Sequence, residues 1–188
     1  MKAYLEESEI INFYHPEIAK LAKKLAIGLS KDKEIAKSCF LYVRDQIQHT
    51  GDIQSPLATA KASEVLEHQT GWCYAKSHLL AALLRANNIP AAFCYQRLFC
   101  NEYSKNSYCL HGLNAVYLEE FGWYKIDARG NKEGVDAQFQ PPHEQLAFNL
   151  TKGESDIEGL HAQPLKVIID ALKQNYDEMI HNFPDICS

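Results

Sequence analysis

A cysteine placed where a loop gives way to a helix is the feature of this chain best suited to covalent chemistry. The segment is Thr70-Gly71-Trp72-Cys73-Tyr74-Ala75-Lys76-Ser77-His78. Gly71 permits a tight turn, and residues 72–86 then carry helical periodicity, with Leu79, Leu80 and Leu83 as an apolar stripe. Cys73 therefore falls in the first helical turn, where unpaired backbone N–H groups and the positive end of the helix dipole favour an anion. The thiolate is the nucleophilic form of cysteine. Two later segments, Leu110-His111-Gly112-Leu113-Asn114 and Trp123-Tyr124-Lys125-Ile126-Asp127-Ala128-Arg129-Gly130-Asn131, contribute a histidine and an aspartate. Cys73, His111 and Asp127 together make a complete set of nucleophile, general base and orienter.

These motifs must be held by the elements around them. Pro16 suits the first position of a helix over residues 16–27, with Ile18, Leu21, Ala22 and Leu25 inward and Gly28 as its end. A second helix is predicted over 32–48, turning Ile35, Cys39, Tyr42, Val43 and Ile47 to the core. Residues 50–59 read as a loop, and 62–68 as a short helix leading to the Cys73 turn. Beyond Pro90, residues 91–99 read as a strand and 101–107 as a surface loop. Residues 111–118 and 122–127 read as a hairpin closed by Glu119-Glu120-Phe121. Pro141-Pro142 and residues 153–156 break up an irregular tail, and 164–180 read as a final helix carrying Leu165, Ile168, Ile169, Leu172 and Tyr176. Side chains alternate along strands, so His111 and Asp127 meet only if odd residues pair with odd residues.

In its three motifs the chain resembles the transglutaminase-like cysteine enzymes: Gly-Trp-Cys opening a helix, a histidine at the start of a strand, and an aspartate ending the next strand. The resemblance covers about residues 61–131, including the helix exit Asn87-Asn88-Ile89-Pro90-Ala91. It implies an α+β, papain-like fold, with the nucleophile helix packed against an antiparallel sheet and Cys73, His111 and Asp127 as the triad. It also implies acyl transfer on amide bonds of a protein or peptide substrate, with water or a primary amine as acceptor. The family also includes inactive members, so a catalytically silent binding or scaffold protein is the alternative. The chain's length, without evident accessory domains, tilts the expectation toward hydrolysis. Trp72 is expected to shape the groove or pack beside the nucleophile.

The bulk properties narrow the field further. The 188 residues suffice for one domain with a substantial core, and 46% hydrophobic with 23% charged residues is ordinary for a globular chain. A net charge of −5 argues against nucleic-acid binding, and Lys20, Lys23 and Lys24 read as a solvated helix face. No apolar run approaches a membrane span, and the acid-bearing start does not read as a secretory signal, so a cytoplasmic location is expected. Cys94, Cys100, Cys109 and His111 lack the close pairs of a structural zinc site, and no acidic loop suggests calcium. No metal or organic cofactor is expected. Acyl transfer also needs oxyanion donors, for which the Cys73 N–H is one candidate and Gln46, Gln48 or Gln54 another. His15, His49, His68, His143, His161 and His181 show no partner pattern, and His78 reads as structural or exposed.

Overall fold

The computed structural model describes residues 1–100, 104, 105 and 107–186. Parts of the loop expected at 101–107, and Cys187, lie outside the described residues. A short 3-10 turn (Lys2–Leu5) precedes α1 (Pro16–Leu25) and α2 (Asp32–Gln46). The nucleophile region follows as β1 (Gln48–His49), α3 (Thr50–Ile53), α4 (Ala62–His68), β2 (Thr70–Gly71) and α5 (Cys73–Ala86). The sheet comes next, from β3 (Ala91–Phe99), β4 (Tyr108–Leu118) and β5 (Gly122–Ile126). The tail holds β6 (Gln138–Gln140), β7 (His143–Gln145), β8 (Ser155–His161), α6 (Lys166–Ala171) and α7 (Tyr176–His181). Among the described residues no helix is long and apolar enough to cross a membrane.

The fold is α+β, and α5 is its axis. This helix is enclosed by α1, α2 and α4 on one side and by β3 and β4 on the other. Every residue from Cys73 to Arg85 is consequently buried, polar ones included. Each buried polar head needs a partner. The Arg85 guanidinium donates to the carbonyls of Glu6, Ala91 and Ala162, and the Lys76 ammonium to that of Ile47.

The main sheet is antiparallel in the order β5-β4-β3-β8. Ala115 pairs with Lys125 and Tyr117 with Trp123, so odd residues face odd residues across β4 and β5. Asp127, one residue past β5, therefore lies diagonal to His111. Even-numbered β4 positions turn to α5: the Asn114 amide donates to the Ser77 carbonyl, and Gly112 meets Tyr74. Odd positions Leu113 and Ala115 join Ala92 and Cys94 in a smaller cluster on the other side.

Several elements differ from the sequence-based expectation. The second helix stops at Gln46, because Gln48 and His49 leave it to pair in parallel with Thr70 and Gly71. The expected loop after residue 50 opens with a helical turn, ended by Gln54 in the left-handed region at φ 52°. Strand β4 starts three residues early, and residues 155–161 form an edge strand against β3 instead of a break. The final helix is two short ones, interrupted between Ala171 and Tyr176.

Gly112 is where β4 comes closest to the nucleophile helix. A β-carbon there would stand 2.7 Å from the Tyr74 ring and 3.2 Å from the Tyr74 Cα. Backbone cannot move aside as a flexible side chain can, so overpacking at this site forces strand and helix apart. Gly112→Ala is expected to lower stability by about 1–3 kcal/mol, read as a lower urea midpoint with an unchanged slope.

Candidate active site

The turn that presents Cys73 is fastened from three directions. Its Thr70 carbonyl accepts from the Thr59 hydroxyl at 3.1 Å, and its Thr70 hydroxyl meets that of Thr50 at 3.3 Å. The β1–β2 ladder sets His49 opposite Gly71. Trp72 is extended and Cys73 begins the helix, so the sulfur rises from the first turn at the dipole's positive end. The Gly112 N–H then donates to Cys73 Sγ at 3.5 Å, and the Tyr74 hydroxyl to the Leu110 carbonyl. Helix and strand are thus sewn together on both sides of the sulfur.

His111 Nε2 lies 2.7 Å from Asp127 Oδ2. With that nitrogen held, Nδ1 is the one left for the Cys73 sulfur, which acts on the charge of the imidazole. Asp127 is fully buried, and its carboxylate is saturated: Oδ2 also accepts from the Ala147 N–H at 3.0 Å, and Oδ1 from the Arg129 N–H at 3.1 Å. Phe148 stands edge-on to the imidazole with ring centres 4.9 Å apart. The structure therefore brings together all three residues singled out in the sequence.

The electrostatics follow from this packing. Burial opposes a charged imidazole, but the Asp127 carboxylate and the Cys73 sulfur overcome it and hold His111 well above its ordinary range. Burial likewise opposes the Asp127 carboxylate, yet His111 and the two backbone donors keep it below the usual range. Lys76, one turn along α5, is driven down to about 7 by burial and by Arg129. The Arg129 guanidinium grips Asp52 with two bonds of 2.6 and 2.8 Å, and Lys132 reaches the same carboxylate at 2.7 Å. That cluster joins the loop after β5 to α3.

Cys73 and His111 open onto a cleft of about 600 Å³, whose other walls include Trp72, Leu98, Phe99, Phe148 and Phe183. Trp72 stacks on Tyr176 at 5.9 Å and meets Phe183 edge-on at 5.4 Å, tying the nucleophile turn to the C-terminal segment. Gln46, Gln48 and Gln54 are exposed, and none lines the cleft. The residue that the sequence reading passed over is His49, whose ring is part of the cleft wall. No spacing or periodicity marked it, since a two-residue ladder places it. His78 is fully buried, with Nδ1 against the Ala60 carbonyl. Cys39 and Cys94 are core thiols, each pushed up to about 12 by burial. Among the described residues no cluster of His, Cys, Asp and Glu is arranged to hold a metal ion.

This fold and site fit one class of protein, papain/transglutaminase-like proteins built on a helix-borne cysteine. The transglutaminase-like superfamily profile matches residues 19–128, more than half of the chain, and the protein belongs to that superfamily. Among solved structures, it is similar to a candidate cysteine protease from Cytophaga hutchinsonii. The TM-score is 0.54 at 21% identity, covering 67% of this chain and 40% of that one. The periplasmic domain of TgpA from Pseudomonas aeruginosa gives 0.48 at 20% identity over 66% and 45%, and red sea bream transglutaminase 0.46 at 10% over 63% and 27%. The chain thus spans less than half the length of each of these structures. No curated protein gives a significant match.

The raised His111 and lowered Asp127 define a pH window. A histidine raised by folding contributes stability below its unfolded pKa and loses it as pH climbs through the folded one. A lowered carboxylate contributes above its unfolded pKa and loses it as pH falls through the folded one. The pair therefore stabilises the fold between those limits. Asp127→Asn removes the charge that raises His111, so the ring is expected to titrate at lower pH, measured by NMR of the histidine ring carbons with His111→Gln supplying the assignment.

Proposed function

We propose that the protein is a thiol-dependent acyl-transfer enzyme acting on amide bonds of a peptide or protein through a Cys73 thioester. The observation that carries this reading is His111, held at 2.7 Å by Asp127 with its other nitrogen left for the Cys73 sulfur, at the floor of an open cleft. In the first half-reaction Cys73 sulfur attacks the carbonyl carbon. The tetrahedral intermediate collapses as the His111 imidazolium gives its proton to the leaving amine. The acyl group remains on sulfur as a thioester. Neutral His111 then takes a proton from the acceptor, which attacks the thioester and restores the thiolate. Asp127 holds the ring orientation and stabilises the imidazolium throughout.

Water as acceptor gives an amidase or peptidase, and this is the reading we favour for a cleft open to solvent. A primary amine gives a transglutaminase. The aromatic and aliphatic walls suit an extended peptide with an apolar side chain near the scissile carbonyl. No step calls for a metal or organic cofactor.

The deciding experiment is incubation with a library of glutamine-containing peptides, with and without an added alkylamine, following cleavage, ammonia and conjugate by mass spectrometry. Cleavage or ammonia without conjugate supports hydrolysis, and amine-dependent conjugate supports transamidation. A chain that turns over none of them, with its fold intact, would be a binding protein. Cys73→Ala is expected to cost on the order of 10⁶ in turnover without loss of fold, while Cys39→Ala retains activity. Substantial turnover in Cys73→Ala would rule out the thioester route.

A further inference from the structure

Six buried side-chain nitrogen and oxygen atoms lack a hydrogen-bond partner among the described residues, and only one, Nδ1 of His49, belongs to a residue lining the cleft. His49 is 9% exposed. A buried ring nitrogen left without a hydrogen-bond partner in the resting protein leaves the imidazole free to engage a ligand. Its surroundings indicate which ligand.

The placement of His49 is deliberate at every level of structure. Its backbone pairs with Gly71, two residues before the nucleophile. Its ring meets Trp72 edge-on at 5.5 Å. Gly51 lets the chain close over both rings, since a β-carbon there would stand 2.9 Å from Trp72 and 3.3 Å from His49. The charges around the ring keep it neutral. Burial and Arg129 push its pKa well below the ordinary value, with Lys76 and His111 acting the same way and Asp52 opposing them. Asp52 is 3.9 Å from His49 Nδ1 and already engaged by Arg129 and Lys132. A neutral imidazole carries one N–H donor. A neutral imidazole held below its ordinary pKa is a good electrophile toward a carbonyl and a poor base.

Resting on the reading of Cys73 as an acyl nucleophile, we propose that His49 is a further catalytic residue, whose ring N–H and the backbone N–H of Cys73 together stabilise the oxyanion formed when sulfur adds to the carbonyl. On addition the carbonyl π pair moves onto oxygen, and the two donors face that charge. On collapse the pair returns, and neither donor gives up its proton. This division of labour separates the two histidines at one site. His111, paired with Asp127, moves protons; His49, kept neutral by burial and by Arg129, moves none.

The test compares two reactions of the same sulfur. Acylation by p-nitrophenyl acetate passes through an oxyanion, whereas alkylation by iodoacetamide is a direct displacement that forms none. Both are followed at Cys73 by peptide mass mapping, with Cys73→Ala as background. His49→Phe keeps an aromatic ring beside Trp72 but removes the donor, and is expected to slow acylation by about 10²-fold with alkylation unchanged. His49→Gln restores a side-chain N–H and is expected to recover much of the loss. Equal slowing of both reactions, or undiminished acylation in His49→Phe, would overturn the role of His49 while leaving Cys73 as the acyl nucleophile. Wild-type protein that alkylates at Cys73 but never acylates would overturn the proposed function, and the role of His49 with it. Should His49→Phe fail to fold, the donor-free His49→Met takes its place.

Discussion

The architecture depends on how closely the first turn of α5 can approach strand β4. A hydrogen atom at Gly112 in place of a side chain brings Tyr74 within contact of the strand backbone, and the Gly112 N–H reaches the Cys73 sulfur. Everything chemical at the site inherits its geometry from this approach. His111 is the neighbour of Gly112 in the strand, and the Cys73 sulfur acts on its imidazole as well. Asp127 arrives through the β4–β5 register, which a slip of one residue would have turned to the opposite face. Core packing, strand pairing and catalytic geometry are one constraint here.

A second layer concerns charge in a dry place. Asp127, Lys76 and Arg129 are all buried near the cleft, and each is answered. Asp127 has His111 and two backbone donors, Lys76 has the carbonyl of Ile47 just past α2, and Arg129 has Asp52. Removing one partner of a buried pair leaves an uncompensated charge, which costs more than the pair itself contributes. The network thus favours a single arrangement of α3, the α2 end and the loop after β5 around the nucleophile turn. Such a frame holds Cys73, His111 and Asp127 in one relative geometry.

The parts of this design visible in the sequence are those carried by long or strongly patterned segments. The Cys73 helix, strand β3 and the β4–β5 hairpin were legible because periodicity extends over many residues and Gly71 and Pro90 punctuate them. Cys73, His111 and Asp127 were legible because each lies within or beside one of those elements. What escaped reading depends on tertiary pairing. Residues 155–161 hold acids and a glycine, a poor strand by composition, yet the open edge of β3 recruits them. The β1–β2 ladder is two residues long, below any detectable alternation, and His49 was lost with it. The three glutamines named as donors were chosen by residue type, but the end of α2, the outward side of β1 and the αL turn at Gln54 leave them exposed.

The cleft wall draws on parts of the chain that are far apart. Trp72 stacks against Tyr176 and Phe183, the Leu110 N–H donates to the Pro184 carbonyl at 2.8 Å, and Arg97 clasps Asp185 with two bonds. The helix start and its hairpin close short loops and can assemble early, whereas docking a segment a hundred residues downstream must first meet a large entropy of closure. The cleft wall is thereby the part of the fold expected to close last. Until the C-terminal segment docks, the Cys73 helix and the hairpin stand without a finished groove.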